Sequence, residues 1–191
     1  RHNRLRDKHA SQLKRGGYTG DLEPSGLVED DAKRPADVLV HRMFHGKDAW
    51  IDHTVKGPYS PSMILGSASV HNFALHAKET EKNSERSGAL QAALDSGALY
   101  LPFAMTTVGG FGTPALRVLR EMAAKTAGIH RMDFATHFAL LKRELVMVVH
   151  RGNNELWEQQ ELFFNALPGA DGWSTRHWHK WGRRSGGLRP Q

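Results

Sequence analysis

The chain has 191 residues, of which 39% are hydrophobic, and this composition suits one globular domain with a buried core. Lysine and arginine outnumber aspartate and glutamate by 26 to 20, so the formal charge is +6 and the pI is about 9.8, which favours a polyanionic partner, foremost a nucleic acid. The lack of cysteine excludes disulfides, zinc–thiolate sites and cysteine nucleophiles. No apolar run reaches about 18 residues, so we expect no membrane partner.

The first third of the chain predicts a helix, a loop and a β-hairpin. Residues 1–15 are rich in helix formers and precede two glycines, whereas residues 20–34 are polar and indicate a loop with one short extended piece. Two strand-length apolar runs follow, RPADVLV and AWIDHTV, and the turn-like FHGKD between them predicts a hairpin over residues 35–56. Because Asp37 and Asp52 lie in these runs, their carboxylates can meet on adjacent strands and share a divalent metal ion.

The middle of the chain predicts a helical region followed by one strand. Residues 67–95 are rich in alanine, leucine, lysine and glutamate, which favour a helical region that Gly88 can break in two. Residues 98–108 indicate a strand that Pro102 makes irregular or places at a sheet edge. The GGFG motif at 109–112 lacks the Gly-Lys-Ser/Thr ending of a P-loop. We interpret it as a strand-to-helix turn that needs a positive φ, followed by a helix N-terminus at Thr113 that can meet a backbone phosphate.

The C-terminal part predicts two helices and an extension of different composition. Residues 113–128 begin with a cap-like Thr-Pro pair and carry a regular apolar stripe, and residues 132–149 predict a last, buried helix followed by a further helical piece over 151–168. The tail beyond has too few aliphatic residues for a core. It is either a disordered basic segment or, in better agreement with its tryptophans, a segment that folds against RNA or a protein. Its candidate nucleic-acid-binding residues, which can stack on bases or neutralise phosphates, are Trp173, Arg176, Trp178, Lys180, Trp181, Arg183, Arg184 and Arg189.

The order of a helix, a loop, a hairpin with two aspartates, a helix with lysines, a strand and a helix resembles the restriction-endonuclease-like, or PD-(D/E)XK, superfamily. RPADVLV, AWIDHTV and LYLPFAMTTVGGFGTPALRVL, with the flanking RHNRLRD and HRMDFATHFALLKREL, resemble the endonuclease-like domain that follows the reverse transcriptase in non-LTR retroelement-type proteins of algae and protists. This resemblance implies an α/β (α+β) fold with a restriction-endonuclease-like core: a small mixed sheet with a central β-hairpin flanked by helices, plus C-terminal helices and a basic tail. We expect this domain over residues 1–155, and a helical piece with the Trp/Arg-rich extension over residues 156–191.

In such nucleases two carboxylates hold Mg²⁺, which polarises the scissile phosphate, while a lysine positions water or stabilises developing charge. The resemblance implies that Asp37 and Asp52 are catalytic residues and Mg²⁺ ligands. The lysine usual two residues after the second carboxylate is replaced by Thr54, and the retroelement group supplies one from the following helix instead. We expect this lysine to be Lys82, with Lys78 as second choice, because both lie one turn apart on one helical face.

Purely structural interpretations stand beside these roles. A lone aspartate can end a strand, and Lys78 and Lys82, among neighbouring glutamates, can form a solvated helix face with local ion pairs. The family helix commonly carries a Lys-Tyr pair, whose nearest match is Arg86-Ser87, and His53 is unusual in a buried strand. The 12 histidines match no zinc-binding motif and are better explained as surface residues.

Two functions agree with these features. The first is a domesticated relative, with its catalysis in question, that binds RNA as a subunit of a large ribonucleoprotein such as an organellar (mitochondrial) ribosome, alongside other proteins. The start at Arg1, the incomplete lysine motif and the Trp/Arg-rich tail favour it. The alternative, favoured by the aspartate pair, is an active Mg²⁺-dependent, retroelement-type endonuclease that hydrolyses phosphodiester bonds in DNA. Both place the protein inside the cell, in mitochondria if a transit peptide has been removed and otherwise in the nucleus.

Overall fold

The computed structural model describes residues 2–25, 36–84 and 88–165, with side chains described up to residue 160. The chain divides into two compact units, Arg1–Gly152 and Asn153–Gln191. The described part of the second unit is the C-terminal stretch of one helix.

The described residues form six helices and four strands. In chain order these are α1 (His2–Arg15), β1 (Gly20–Leu22), β2 (Val38–Phe44), β3 (Lys47–Lys56), α2 (Ile64–Ser69), α3 (Phe73–Lys82), α4 (Ala89–Asp95), β4 (Leu99–Thr106), α5 (Thr113–His130) and α6 (Phe134–Asn165). None of the described helices is both long enough and apolar enough to cross a bilayer.

The strands form one mixed sheet in the order β1-β2-β3-β4. Antiparallel pairs join β1 to β2 and β2 to β3, whereas β3 and β4 run parallel. The hairpin turn lies at His45 and Gly46, whose φ angles of 50° and 81° match the left-handed geometry of tight hairpin turns. The predicted hairpin and the predicted small mixed sheet in an α/β fold are therefore confirmed.

Helices cover the two faces of the sheet unequally. The larger core lies between the sheet and helices α1, α5 and α6, where Leu5, Phe103, Leu119 and Leu145 are completely buried. Burial of each such side chain contributes about 1.5–3 kcal/mol to folding. On the other face a smaller cluster joins Trp50 to alanines of α4.

Local differences from the predicted elements have physical causes. The helical region predicted over 67–95 is broken at Asn72, which adopts a left-handed φ of 59° before α3 begins. A Cβ on Gly66 would lie 2.3 Å from the Phe73 ring, so α2 folds back closely on α3. Strand β4 lies at a sheet edge, which is one of the two alternatives predicted from Pro102, and Pro102 itself pairs in regular register with Asp52. The helix predicted over 132–149 and the helical piece predicted after it form one continuous helix, α6.

Candidate active site

Asp37 lies directly before β2, at the start of the hairpin, and is held by three nitrogen contacts. The backbone N–H of His53 donates to Oδ2 at 2.6 Å, and Nε2 of His2 lies 3.1 Å from Oδ1. The His53 ring adds an electrostatic contact, since its Nδ1 is 3.4 Å from Oδ2 without hydrogen-bond alignment. Burial alone would raise the pKa of Asp37, but the hydrogen bonds from His2 and His53 outweigh it and hold this pKa well below its usual range.

Behind Asp37 lies a buried histidine pair. Nδ1 of His9, on α1, is 2.8 Å from Nε2 of His53, and Nε2 of His9 is 3.2 Å from the sulfur of Met122. The Phe103 ring packs against both imidazoles, with centroids 4.4 and 5.0 Å away. Burial lowers the pKa of both histidines, most strongly that of His9, so the pair is neutral. The nearby Asp37 carboxylate favours the His53 tautomer with its proton on Nδ1, which leaves Nε2 to accept from His9.

Asp52 lies in the middle of β3, and its carboxylate receives two donors at one oxygen. The hydroxyl of Tyr100 donates to Oδ2 at 2.7 Å, and Nζ of Lys82 lies 2.6 Å from the same atom. In the parallel pair Asp52 is aligned with Pro102, and Tyr100 lies two residues before Pro102 on β4. Side chains two residues apart lie on the same face of a strand, so Tyr100 lies on the face of the sheet that carries Asp52. Burial, then the charge of Asp52, raises the pKa of the Tyr100 hydroxyl above its usual value.

The two carboxylates belong to one electrostatic site. Val38 pairs with Ile51 in the hairpin, and Asp37 directly precedes Val38 while Asp52 directly follows Ile51, so both aspartates lie next to this pair. A hydrogen bond from the Asp37 N–H to the Ile51 carbonyl, 3.0 Å, keeps this end of the hairpin closed. Each aspartate also influences the other's partner: the charge of Asp52 contributes to the raised pKa of His2, and the charge of Asp37 to that of Tyr100.

The two predicted lysines have different environments. Lys82 is the last residue of α3 and contacts Asp52, so the structure brings it together with one of the two predicted aspartates. Lys78, one turn earlier, forms an ion pair with the exposed Glu81 on the same helix. The local ion pairs of the structural interpretation therefore describe Lys78, whereas Lys82 pairs with a residue of the sheet. Among the described residues, no group of three or more His, Cys, Asp or Glu side chains is arranged to hold a metal ion.

The helix N-terminus at Thr113 differs from the expectation of an open phosphate site. The turn itself is as predicted, because Gly109 has a φ of 92°. The carboxylate of Glu79, however, accepts a hydrogen bond from the Thr113 N–H, and its Oε1 lies where a Cβ on Gly112 would stand. A side chain of the protein therefore already fills the position expected for a phosphate.

Three site residues were not predicted from the sequence: His2, His9 and Tyr100. Each reaches an aspartate, or its histidine neighbour, from an element distant in the chain. The apolar run of β4 carries no local signal for Tyr100, since its role depends on parallel pairing with β3. The one local hint was His53, whose polar ring in an apolar strand required a buried partner.

The predicted tail residues lie outside the described part of the chain: Trp173, Arg176, Trp178, Lys180, Trp181, Arg183, Arg184 and Arg189. Arg86 and Ser87 lie outside it as well. The proposed nucleic-acid contacts of this tail stay a prediction.

No protein-family model matches the chain, and no curated protein matches it. The observations that bear on function are thus the aspartate pair, its donors and the order of the elements around it. All three are properties of the first compact unit.

Proposed function

We propose that this chain is a nucleic-acid-binding domain with a restriction-endonuclease-like fold, in which Asp37, Asp52 and Lys82 form a site for hydrolysis of a phosphodiester bond. The observation that carries the proposal is the 2.6 Å contact between Lys82 Nζ and Asp52 Oδ2. The chain lacks a lysine two residues after Asp52, and α3 supplies an ammonium at the same carboxylate instead. The resemblance drawn from the sequence calls for a lysine from this helix.

The order of the elements supports the fold part of the proposal. The structure runs through α1, a connecting segment, the β2–β3 hairpin, α3 with its lysines, β4 and α5, which is the order on which the resemblance rests. The sheet is mixed, and both aspartates lie at the central hairpin. Fold alone does not determine activity, so the side chains at the hairpin carry the functional argument.

The donor set suits the metal that the resemblance implies. Mg²⁺ typically binds one or two carboxylates and takes its remaining ligands from water and substrate phosphate, so Asp37 and Asp52 are the residues that would hold it. When bound, it would polarise the scissile phosphate and lower the pKa of a coordinated water. Lys82 contributes a fixed positive charge beside Asp52, where it stabilises the negative charge that develops on the phosphoryl oxygens. Tyr100 orients the Asp52 carboxylate.

A second candidate function is supported by the environment of Asp37. Both oxygens of this carboxylate are engaged by His2 and His53, as expected of an aspartate that closes a hairpin and fixes a buried histidine. A relative with this arrangement could keep the fold and basic charge, lose hydrolysis, and bind RNA within a ribonucleoprotein such as a mitochondrial ribosome. The formal charge of +6 agrees with either candidate.

One assay separates the two candidates. The purified chain is incubated with supercoiled plasmid and with single-stranded DNA in Mg²⁺ or Mn²⁺, beside Asp52→Asn. The matched control is Asp133→Asn, which removes one carboxylate at an exposed cap where asparagine also accepts the Thr136 N–H. We expect cleavage by the wild type and the control, and a loss of about 100-fold or more in Asp52→Asn. Equal cleavage by all three proteins would contradict the site, and tight RNA binding without cleavage would favour the second candidate.

A further inference from the structure

Three lysines converge beside the candidate active site, and we call them the lysine cluster: Lys56, Lys78 and Lys82. Glu81 lies among them. It forms an ion pair with Lys78, and it also lies within electrostatic reach of Lys82 and Lys56. The Lys78 hydrogen bond and these three positive charges together hold the pKa of Glu81 below its usual value.

Strand β3 and helix α3 explain why the lysines share one surface. Side chains alternate along a strand, so Asp52, Thr54 and Lys56 lie on the same face of β3. This is the face over which α3 packs, since Lys82 of α3 reaches Asp52. Lys56 lies about 13 Å along the strand from Asp52. Lys78 lies about 6 Å along the helix from Lys82. The cluster therefore extends away from the aspartates in one direction.

The carboxylate partners of the lysine cluster differ in how firmly they are held. Lys82 is engaged by Asp52, a carboxylate whose side chain is only 14% exposed and is fixed by Tyr100 as well. Glu81 is 59% exposed and is attached to a helix end, so it can turn into solvent at little cost. If Glu81 turns away, Lys56 and Lys78 offer two ammonium groups at the side of the site.

We propose that Lys56 and Lys78 bind backbone phosphates next to the scissile bond, and that the Glu81 carboxylate occupies this subsite until a nucleic acid displaces it. This inference rests on the proposed hydrolytic function, because that function defines which bond is cleaved. The carboxylate of Glu81 stands where a phosphate oxygen would stand, with the same charge sign and the same Lys78 partner. The ligand is defined by its sugar-phosphate backbone, which DNA and RNA share.

The test measures binding without hydrolysis. Fluorescence anisotropy of a labelled 20-nucleotide DNA or RNA is recorded with the full chain in EDTA over a range of NaCl concentrations. The variant Lys56→Gln/Lys78→Gln is compared with Lys14→Gln/Lys47→Gln, which removes the same charge from exposed positions on α1 and the hairpin turn. Thermal unfolding of each variant verifies that it is folded.

We expect the cluster variant to bind at least tenfold more weakly than the control variant in moderate salt. Its plot of log affinity against log salt should be shallower by about two, one for each lost phosphate contact. Glu81→Gln should bind several-fold more tightly than the wild type, whereas Glu158→Gln, an exposed glutamate on α6, should bind less tightly than Glu81→Gln. Equal affinities of the two lysine variants, or no gain in Glu81→Gln, would overturn the subsite.

The proposed hydrolysis and the subsite can fail separately. If the wild type binds through Lys56 and Lys78 but does not cleave in Mg²⁺, the subsite stands as a binding site and the hydrolytic function is lost. If the wild type cleaves and the cluster variant binds and cleaves as its control does, hydrolysis stands and the subsite is wrong. The DNA and RNA measurements then show which backbone the site prefers.

Discussion

The ammonium of Lys82 reaches Asp52 from the last residue of α3, with 2.6 Å between Nζ and Oδ2. On β3 itself, the position two residues after Asp52 is Thr54. The positive charge at this carboxylate therefore comes from a helix that packs over the sheet and not from the strand that carries the aspartate. Its placement depends on where α3 ends: the next residue, Asn83, caps the helix, and its N–H still bonds to the Glu79 carbonyl.

The proposed hydrolysis makes a specific prediction for this lysine. Replacement of Lys82 by glutamine should reduce cleavage by about 100-fold, because one charge that stabilises the developing negative charge is lost. Addition of Thr54→Lys to this variant should restore part of the rate, since residue 54 lies on the same face of β3 as Asp52. Plasmid nicking measures both, with Thr54→Lys alone as the control. An unchanged rate in Lys82→Gln would contradict the assigned role.

Tyr100 makes a separate prediction about stability. Its hydroxyl is buried and donates to the Asp52 carboxylate at 2.7 Å. Tyr100→Phe removes this donor without changing the packing of the ring, so we expect a loss of about 1–2 kcal/mol in the free energy of unfolding. Urea unfolding measures the change, and Tyr59→Phe, at a ring that is 73% exposed, is the matched control. If both variants lost the same stability, the hydrogen bond would contribute nothing specific.

The buried His9 predicts how stability changes with pH. Burial lowers the pKa of His9 far below the usual value of about 6.5, whereas the unfolded chain takes up the proton near that value. Below about pH 6.5 the unfolded state therefore binds more protons, and His9 reduces stability by up to about 1.4 kcal/mol for each further pH unit. The stability of the wild type relative to His9→Gln should fall with this slope as the pH decreases.

Equilibrium unfolding between pH 5 and pH 8 tests the His9 prediction. The difference between the two proteins is informative because it removes the opposite contribution of His2, whose pKa is raised by Asp37. His150→Gln, which removes an exposed imidazole on α6, serves as the control substitution. A constant difference between wild type and His9→Gln across this range would show that His9 does not titrate differently in the folded and unfolded states.

Local sequence signals were sufficient for the hairpin and for several helices. A glycine pair ended α1, and a Thr-Pro pair marked the start of α5. The His45-Gly46 turn closes the hairpin whose Val38–Ile51 pair is flanked by Asp37 and Asp52. Each of these features depends on residues close together in the chain, so each could be predicted from the sequence.

The partners of the aspartates depend on contacts between distant segments. Tyr100 reaches Asp52 because β4 pairs parallel to β3 after three helices, and the sequence alone specifies no such register. His9 meets His53 across 44 positions, so the reason for a histidine in a buried strand was invisible locally. The break before α3 was also missed, because it is made by Asn72 in a left-handed conformation and not by glycine or proline.

Substitution by alanine should have opposite effects on stability at two glycines, Gly46 and Gly128. Gly46 lies in the hairpin turn with a φ of 81°, and Gly128 lies near the end of α5 with an ordinary helical backbone. A Cβ would meet no atom within 4 Å at either position, so the backbone alone determines the outcome. Gly46→Ala should destabilise the protein by about 1 kcal/mol because an L-residue is strained at this φ. Gly128→Ala should stabilise it by up to about 1 kcal/mol through helix propensity. Thermal and urea unfolding of the two variants measure the pair, and effects of the same sign would show that the hairpin turn differs from the one described.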